Sequence, residues 1–174
     1  MPATYTLISS NVLTTTAASI TFSAIPATYT DLVLRMSARS AASSDTDGFT
    51  IKFNGSSAAE YSYTTLSGNG ASASSSRDFG NAAGYYSETV NGSTSTSNTF
   101  GNTAIYIPSY TASQNKPIST FGASEINSAS GSYIQSLADL WRNTAAITSI
   151  TITNGSATNF VSGSSFYLYG ISNA

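Results

Sequence analysis

The sequence predicts an all-β fold, a jelly-roll-like antiparallel β-sandwich that takes in residues 1–174 as a single domain. Three observations carry this. Apolar residues recur at every second position over short stretches, the period of a half-buried strand. Clusters of Ser, Asn, Gly and Pro separate those stretches at turn-like intervals. Helix propensity is poor throughout, because Ser, Thr, Gly, Asn and β-branched residues prevail.

Taken in order, residues 1–10 read as an arm or an edge strand, with strand pattern over 4–8, and a second strand is expected at 19–23. Over 31–39 the alternation is clear: Leu32, Leu34, Met36 and Ala38 share one side, and Asp31, Val33, Arg35, Ser37 and Arg39 the other. Phe49, Ile51 and Phe53 repeat the pattern and run into Asn54-Gly55, a dipeptide that takes the positive φ values of a tight hairpin turn. A return strand is expected over 60–66. Further strands are expected at 84–90, 100–107, 117–125, 132–141, 147–153 and 165–171, about ten or eleven in all, the spacing of a sandwich or jelly roll. The one helical competitor lies within 136–146, with room for a single turn near 141–146. Residues 67–76 and 91–98 are Ser/Gly/Asn-rich and lack the apolar surface to pack as strands, so both are expected to be exposed loops.

Composition narrows the function classes. Charged residues make up 8% of the chain, against about 25% in ordinary domains. The 34 Ser and 24 Thr of the 174 residues supply the polar surface instead. A net charge of −2 from six cations and eight acids neither holds nucleic acid nor steers a charged substrate. With no His and no Cys, the commonest general base, thiolate chemistry, disulfides and ordinary zinc sites are missing. No apolar run approaches the ~20 residues of a membrane helix, and Met1-Pro2-Ala3-Thr4-Tyr5 has no basic or apolar leader pattern. No membrane, cofactor or metal is expected.

The remaining candidates for chemistry are few. Eight scattered acids, Asp31, Asp45, Asp47, Glu60, Asp78, Glu88, Glu125 and Asp139, could supply a hydrolytic carboxylate pair if two met in the fold, but nothing in their spacing says that they do. Asp45-Thr46-Asp47-Gly48 resembles a fragment of a calcium loop, yet Ser43 and Asn54 stand where further ligands belong; a turn is the simpler reading. Asn54, Asn91 and Asn154 each begin Asn-Gly-Ser, which is read as turn chemistry and not as glycosylation. Tyr61, Tyr63, Tyr85, Tyr86 and Tyr110 are the candidate interface or glycan contacts, with Tyr106 and Trp141 beside them. Tyrosine buries a large ring and keeps a polar handle, so it suits core, subunit interface or sugar platform. Those readings stay open.

Ser19-Ile20-Thr21-Phe22, Ile25-Pro26, Thr28 through Leu34, Asn102-Thr103-Ala104-Ile105-Tyr106-Ile107-Pro108 and the stretch from Trp141 to Thr151 together resemble small virion structural proteins of tailed phages, those of cyanobacterial and other aquatic hosts in particular. The closing Leu168-Tyr169-Gly170-Ile171 is similar to their C-terminal strand. The resemblance spans nearly the whole chain and rests on structural motifs, with no catalytic set to carry over. It implies a jelly-roll-like sandwich that assembles on the particle, often as a trimer. The expected function is capsid decoration (cement) on the capsid exterior, by a homotrimer bound to the major capsid protein and without enzymatic activity. The alternative is a tail or head fibre module that binds host surface polysaccharide.

Overall fold

The protein was analysed as a computed structural model that describes residues 4–82, 84–127 and 132–172. These form twelve strands and no helix: β1 (Tyr5–Val12), β2 (Ser19–Phe22), β3 (Asp31–Ala38), β4 (Thr46–Phe53), β5 (Tyr61–Gly68), β6 (Ala73–Asn81), β7 (Tyr85–Asn91), β8 (Gly101–Ile107), β9 (Lys116–Ser124), β10 (Tyr133–Trp141), β11 (Ile150–Asn154) and β12 (Ser165–Ile171). An eight-stranded sheet runs β1-β12-β3-β8-β9-β10-β5-β6, and a four-stranded sheet runs β2-β11-β4-β7. Every strand pairing is antiparallel. The chain changes sheet at nearly every step: β2, β4, β7 and β11 in the smaller, and β3, then β5 and β6, then β8 to β10, then β12 in the larger. This is the double-sheet path of a jelly roll, with β1 an edge strand held on β12.

Period-two sequence explains the packing. Leu32, Leu34, Met36 and Ala38 of β3 point inward against Phe49, Ile51 and Phe53 of β4, and all seven are buried. Ile105 and Ile107, Trp141, Ile150 and Ile152, and Phe166 and Leu168 extend the core from β8, β10, β11 and β12. At one end Phe53, Tyr61 and Trp141 cluster, with ring centroids 5.4 Å (Phe53 to Trp141) and 6.5 Å (Tyr61 to Trp141) apart. Gly170 is required by close approach: a Cβ there would come within 2.2 Å of the Tyr29 ring, so the glycine leaves room for the ring to cover β12.

Three expectations need correction. Asn54 and Gly55 do adopt positive φ (52° and 66°) and close a turn through Ser56 N to Phe53 O, 2.9 Å, but this is no hairpin, because β4 and β5 lie in different sheets. The turn launches a crossover. Residues 73–81, within and beyond the expected 67–76 loop, form β6, which pairs with β5 around a tight connection where Asn69 Oδ1 accepts from the amides of Ala71 and Ser72. An edge strand held through its backbone needs little apolar surface. The 136–146 segment contains no helical turn: β10 takes it to Trp141 and an irregular path follows.

The 91–98 segment is a loop, as expected, but an ordered one. The Arg39 guanidinium at the end of β3 donates to the carbonyls of Ser93 (3.2 Å), Ser95 (2.9 Å), Thr96 (2.8 Å) and Thr99 (3.0 Å). A planar fork of fixed donors suits four converging carbonyls. Arg39→Ala is expected to lower stability by about 2 kcal/mol, part of the loss being recovered by water at these half-exposed groups, and to speed amide exchange across 93–99. An unchanged urea midpoint would show that the loop orders itself.

Candidate functional site

The four-stranded sheet covers the inner face of the larger sheet and leaves the other face bare. Register places the bare residues directly. Ala104 of β8 lies opposite Arg35 of β3 and Phe121 of β9; Phe121 lies opposite Ser136 of β10; Ser136 lies opposite Leu66 of β5. Continuing outward, Tyr169 pairs with Val33 and with Leu7 of β1, and Leu66 pairs with Ser75 of β6. The exposed large apolar side chains among the described residues, Tyr5, Leu7, Val12, Leu66, Phe79, Tyr106, Phe121 and Ile134, all fall on this face. Phe121 is 52% exposed and Ile134 51%.

Small residues between these side chains make the face uneven. Leu66, Phe121 and Ile134 rim a hollow of about 320 Å³ floored by Gly68, Ala73 and Ser136. Val33, Ala104 and Tyr106 line a second of about 280 Å³, on the other side of the Phe121 ring. Phe121 is thus a ridge between two depressions. Charge is sparse and one-sided: Arg35, Arg77 and Arg142 lie on or beside the face, three of the chain's six cations. Arg142 stacks over the Phe79 ring at 4.2 Å. The acids near this margin are already occupied: Asp31 accepts from the Tyr106 hydroxyl and the Ser109 amide, both at 2.8 Å, and Glu60, beside Arg142, accepts from Trp141 Nε1 at 3.0 Å.

The tyrosines singled out from the sequence do not come together here. Tyr61 and Tyr110 are fully buried and offer no contact to a ligand or subunit; both are core residues. Each ring fills the interior while its hydroxyl meets backbone, Tyr61 bonding Phe53 N at 3.0 Å and Tyr110 donating to the Pro26 carbonyl. Trp141 is likewise core. Tyr63 is half-buried on the inner side of β5, and Tyr85 and Tyr86 open β7, their side chains lying outside the described set. Among those whose side chains are described, only Tyr106 reaches the bare face. Of the residues that make it, Leu66 and Ile134 stand at the off-beat positions of β5 and β10, whose other positions carry Tyr61, Tyr63, Leu137 and Trp141, while Phe121 and Phe79 lie on strands with few other apolar side chains and carry no such signal.

The acids are dispersed into structural tasks. Asp47 accepts from the Ser40 and Ser156 hydroxyls and the Gly48 amide; Thr46 to Gly48 belong to β4 and Asp45 stands just before it. No group of three acids able to hold a metal occurs among the described residues. Burial pushes Glu60 up, but donors from Ser56, Asn143 and Trp141, with the Arg142 charge, outweigh it and hold the carboxyl below its usual range. Asp139 is 4% exposed: Oδ2 accepts from Thr120 Oγ1 at 2.8 Å, and Oδ1 has no partner. Burial, only partly opposed by the Thr120 bond, raises its pKa from 3.8 to about 7. It sits among the residues lining an open recess of about 610 Å³ with Tyr63, Arg77, Asp78 and Phe79. Lys116 is also fully buried, donating to the carbonyls of Ala112 and Asn143 near the Trp141 ring, and burial lowers its pKa. The Asn-Gly-Ser asparagines serve the fold too: Asn91 and Asn154 are buried, and the Asn54 side chain bonds Ala146 O, Thr148 N and Ser149 N.

No family model matches the chain, and no curated protein matches it in sequence. No helix of the described residues is long and apolar enough to cross a membrane.

Proposed function

We propose that the protein is a structural component of a tailed-phage virion, a capsid decoration (cement) protein that docks the bare face of its eight-stranded sheet on the capsid exterior. The single observation behind this reading is that, among the described residues, all the exposed large apolar side chains share one sheet face. Eight strands spaced ~4.8 Å apart and about seven residues long at ~3.3 Å each present roughly 900 Å². A stable interface takes about 800 Å² from each partner. Arginine beside aromatic rings is the composition of interface centres, and the partner surface that fits is apolar with carboxylates at its rim. Copies joined as a homotrimer would engage several major capsid protein subunits at once, and contacts that are weak singly add through multivalency.

The test is binding to capsids assembled without the protein. Phe121→Glu with Ile134→Glu is expected to weaken co-sedimentation at least tenfold while leaving the melting temperature unchanged, since both side chains are half-exposed and unpartnered. Wild-type binding by the double variant would refute docking through this face.

A further inference from the structure

The smaller sheet stops short of the larger. Its edge strand β7 packs across β8, β9 and β10 and touches β5 only at its margin. The inner sides of β5 and β6 therefore overhang, forming with β7 a recess of about 220 Å³. Tyr63, Thr65, Ser67, Ser74, Ser76 and Gln135 line it, with Glu88 at the β7 edge. Hydroxyls dominate, and two of them, Ser67 Oγ and Ser74 Oγ, pair across the strands at 3.0 Å. The Gln135 amide is fixed: its Oε1 accepts from the Glu88 amide at 2.8 Å and the Ser87 hydroxyl at 3.1 Å. Burial, with the negative charges of Asp78, Glu88 and Asp139 nearby, raises the Tyr63 pKa and keeps its phenol a donor.

An independent observation points to a ligand. Thr65 is only 9% exposed, and its Oγ1 has no hydrogen-bond partner. A buried hydroxyl without a partner carries an uncompensated desolvation cost, which a ligand hydroxyl would remove. The surrounding carboxylates disfavour an anion, and the hydroxyl lining disfavours a hydrocarbon. The volume lies below the ~300 Å³ at which drug-sized sites begin, enough for one ring. We propose that the recess beyond β7 holds a single neutral sugar residue of a polysaccharide. It opens on the opposite side of β5 and β6 from the docking face, so it stays accessible on a decorated capsid and does not depend on the capsid reading.

The test is an amide-resolved NMR titration of the full chain with glucose, galactose, mannose and N-acetylglucosamine. Shifts confined to the amides of Thr65, Ser76, Glu88 and Gln135 are expected at millimolar sugar. Thr65→Val is expected to weaken binding about five- to tenfold while unfolding at no lower urea concentration, since the hydroxyl it removes has no partner to lose. Ser74→Leu, which fills the recess from an exposed position, is expected to abolish the shifts. Absence of shifts with all four sugars at tens of millimolar, or parental affinity in Thr65→Val, would overturn the proposal. Capsid docking by Thr65→Val should equal that of the parent, so failure of one reading is distinguishable from failure of the other.

Discussion

Replacing Asp139 by Asn is expected to stabilise the protein by up to about 4 kcal/mol at pH 8 and to change little at pH 4. The unfolded chain releases the Asp139 proton near pH 3.8, whereas the folded protein holds it to about pH 7. Between those values the native state carries a proton that the unfolded state has lost, so stability falls as pH rises through the window and levels off above it. About three pKa units at ~1.36 kcal/mol each set the size. Asparagine keeps the shape and an acceptor for Thr120 but has no charge to desolvate. Urea unfolding at pH 4, 6 and 8 measures both slopes: the parent should lose stability across the range and the variant should lose less. Equal slopes would mean that Asp139 is solvated in the folded protein. Glu60 works in the opposite sense. Its pKa is lowered, so its contribution is present above the usual carboxylate range and disappears as acid protonates it.

Trp141→Ala is expected to cost about 4–5 kcal/mol, a large share of the roughly 5–15 kcal/mol that holds a domain of this kind. Trp141 is 1% exposed, stacks on Tyr61 with an interplanar angle of 17°, packs on Phe53, and donates from Nε1 to Glu60 Oε2 at 3.0 Å. Truncation leaves a cavity that rigid strands on both sides cannot close, and it takes a donor from a carboxylate that needs one. Trp141→Phe keeps most of the ring and loses the indole donor, so about half the loss is expected. Equilibrium urea denaturation reads both. A loss under about 2 kcal/mol in Trp141→Ala would move the centre of stability elsewhere in the sandwich.

The strands that were legible are those whose side chains do the packing. β3 and β4 announce themselves because Leu32 to Ala38 and Phe49 to Phe53 must alternate to bury one face. β6 was not legible, since Ser74, Ser75 and Ser76 gain their place through backbone bonds to β5, which any sequence supplies. Asn54-Gly55 specifies a turn and not its destination: positive φ at two residues is a local property, while the choice between a hairpin and a crossover is set by where Phe53 and Tyr61 find cover. The order of the 91–98 loop depends on Arg39, more than fifty positions away, and no local pattern reports that. The bare face was hidden for a different reason. Tyrosine suits a contact residue, yet Tyr61 and Tyr110 fill the wide interior, and the exposed face falls to Leu66 and Ile134, the off-beat apolar residues of β5 and β10, and to Phe121, which stands on β9 among Ser, Thr and Gly with no pattern to single it out.

The most direct measurement is an electron-microscopy reconstruction of the intact particle. The expected map has this jelly roll on the capsid exterior with the outer face of the eight-stranded sheet turned onto the lattice and the Phe121 ring buried in the contact. A map in which that face looks into solvent, with Phe121 and Ile134 uncovered while another surface makes the attachment, would contradict the account.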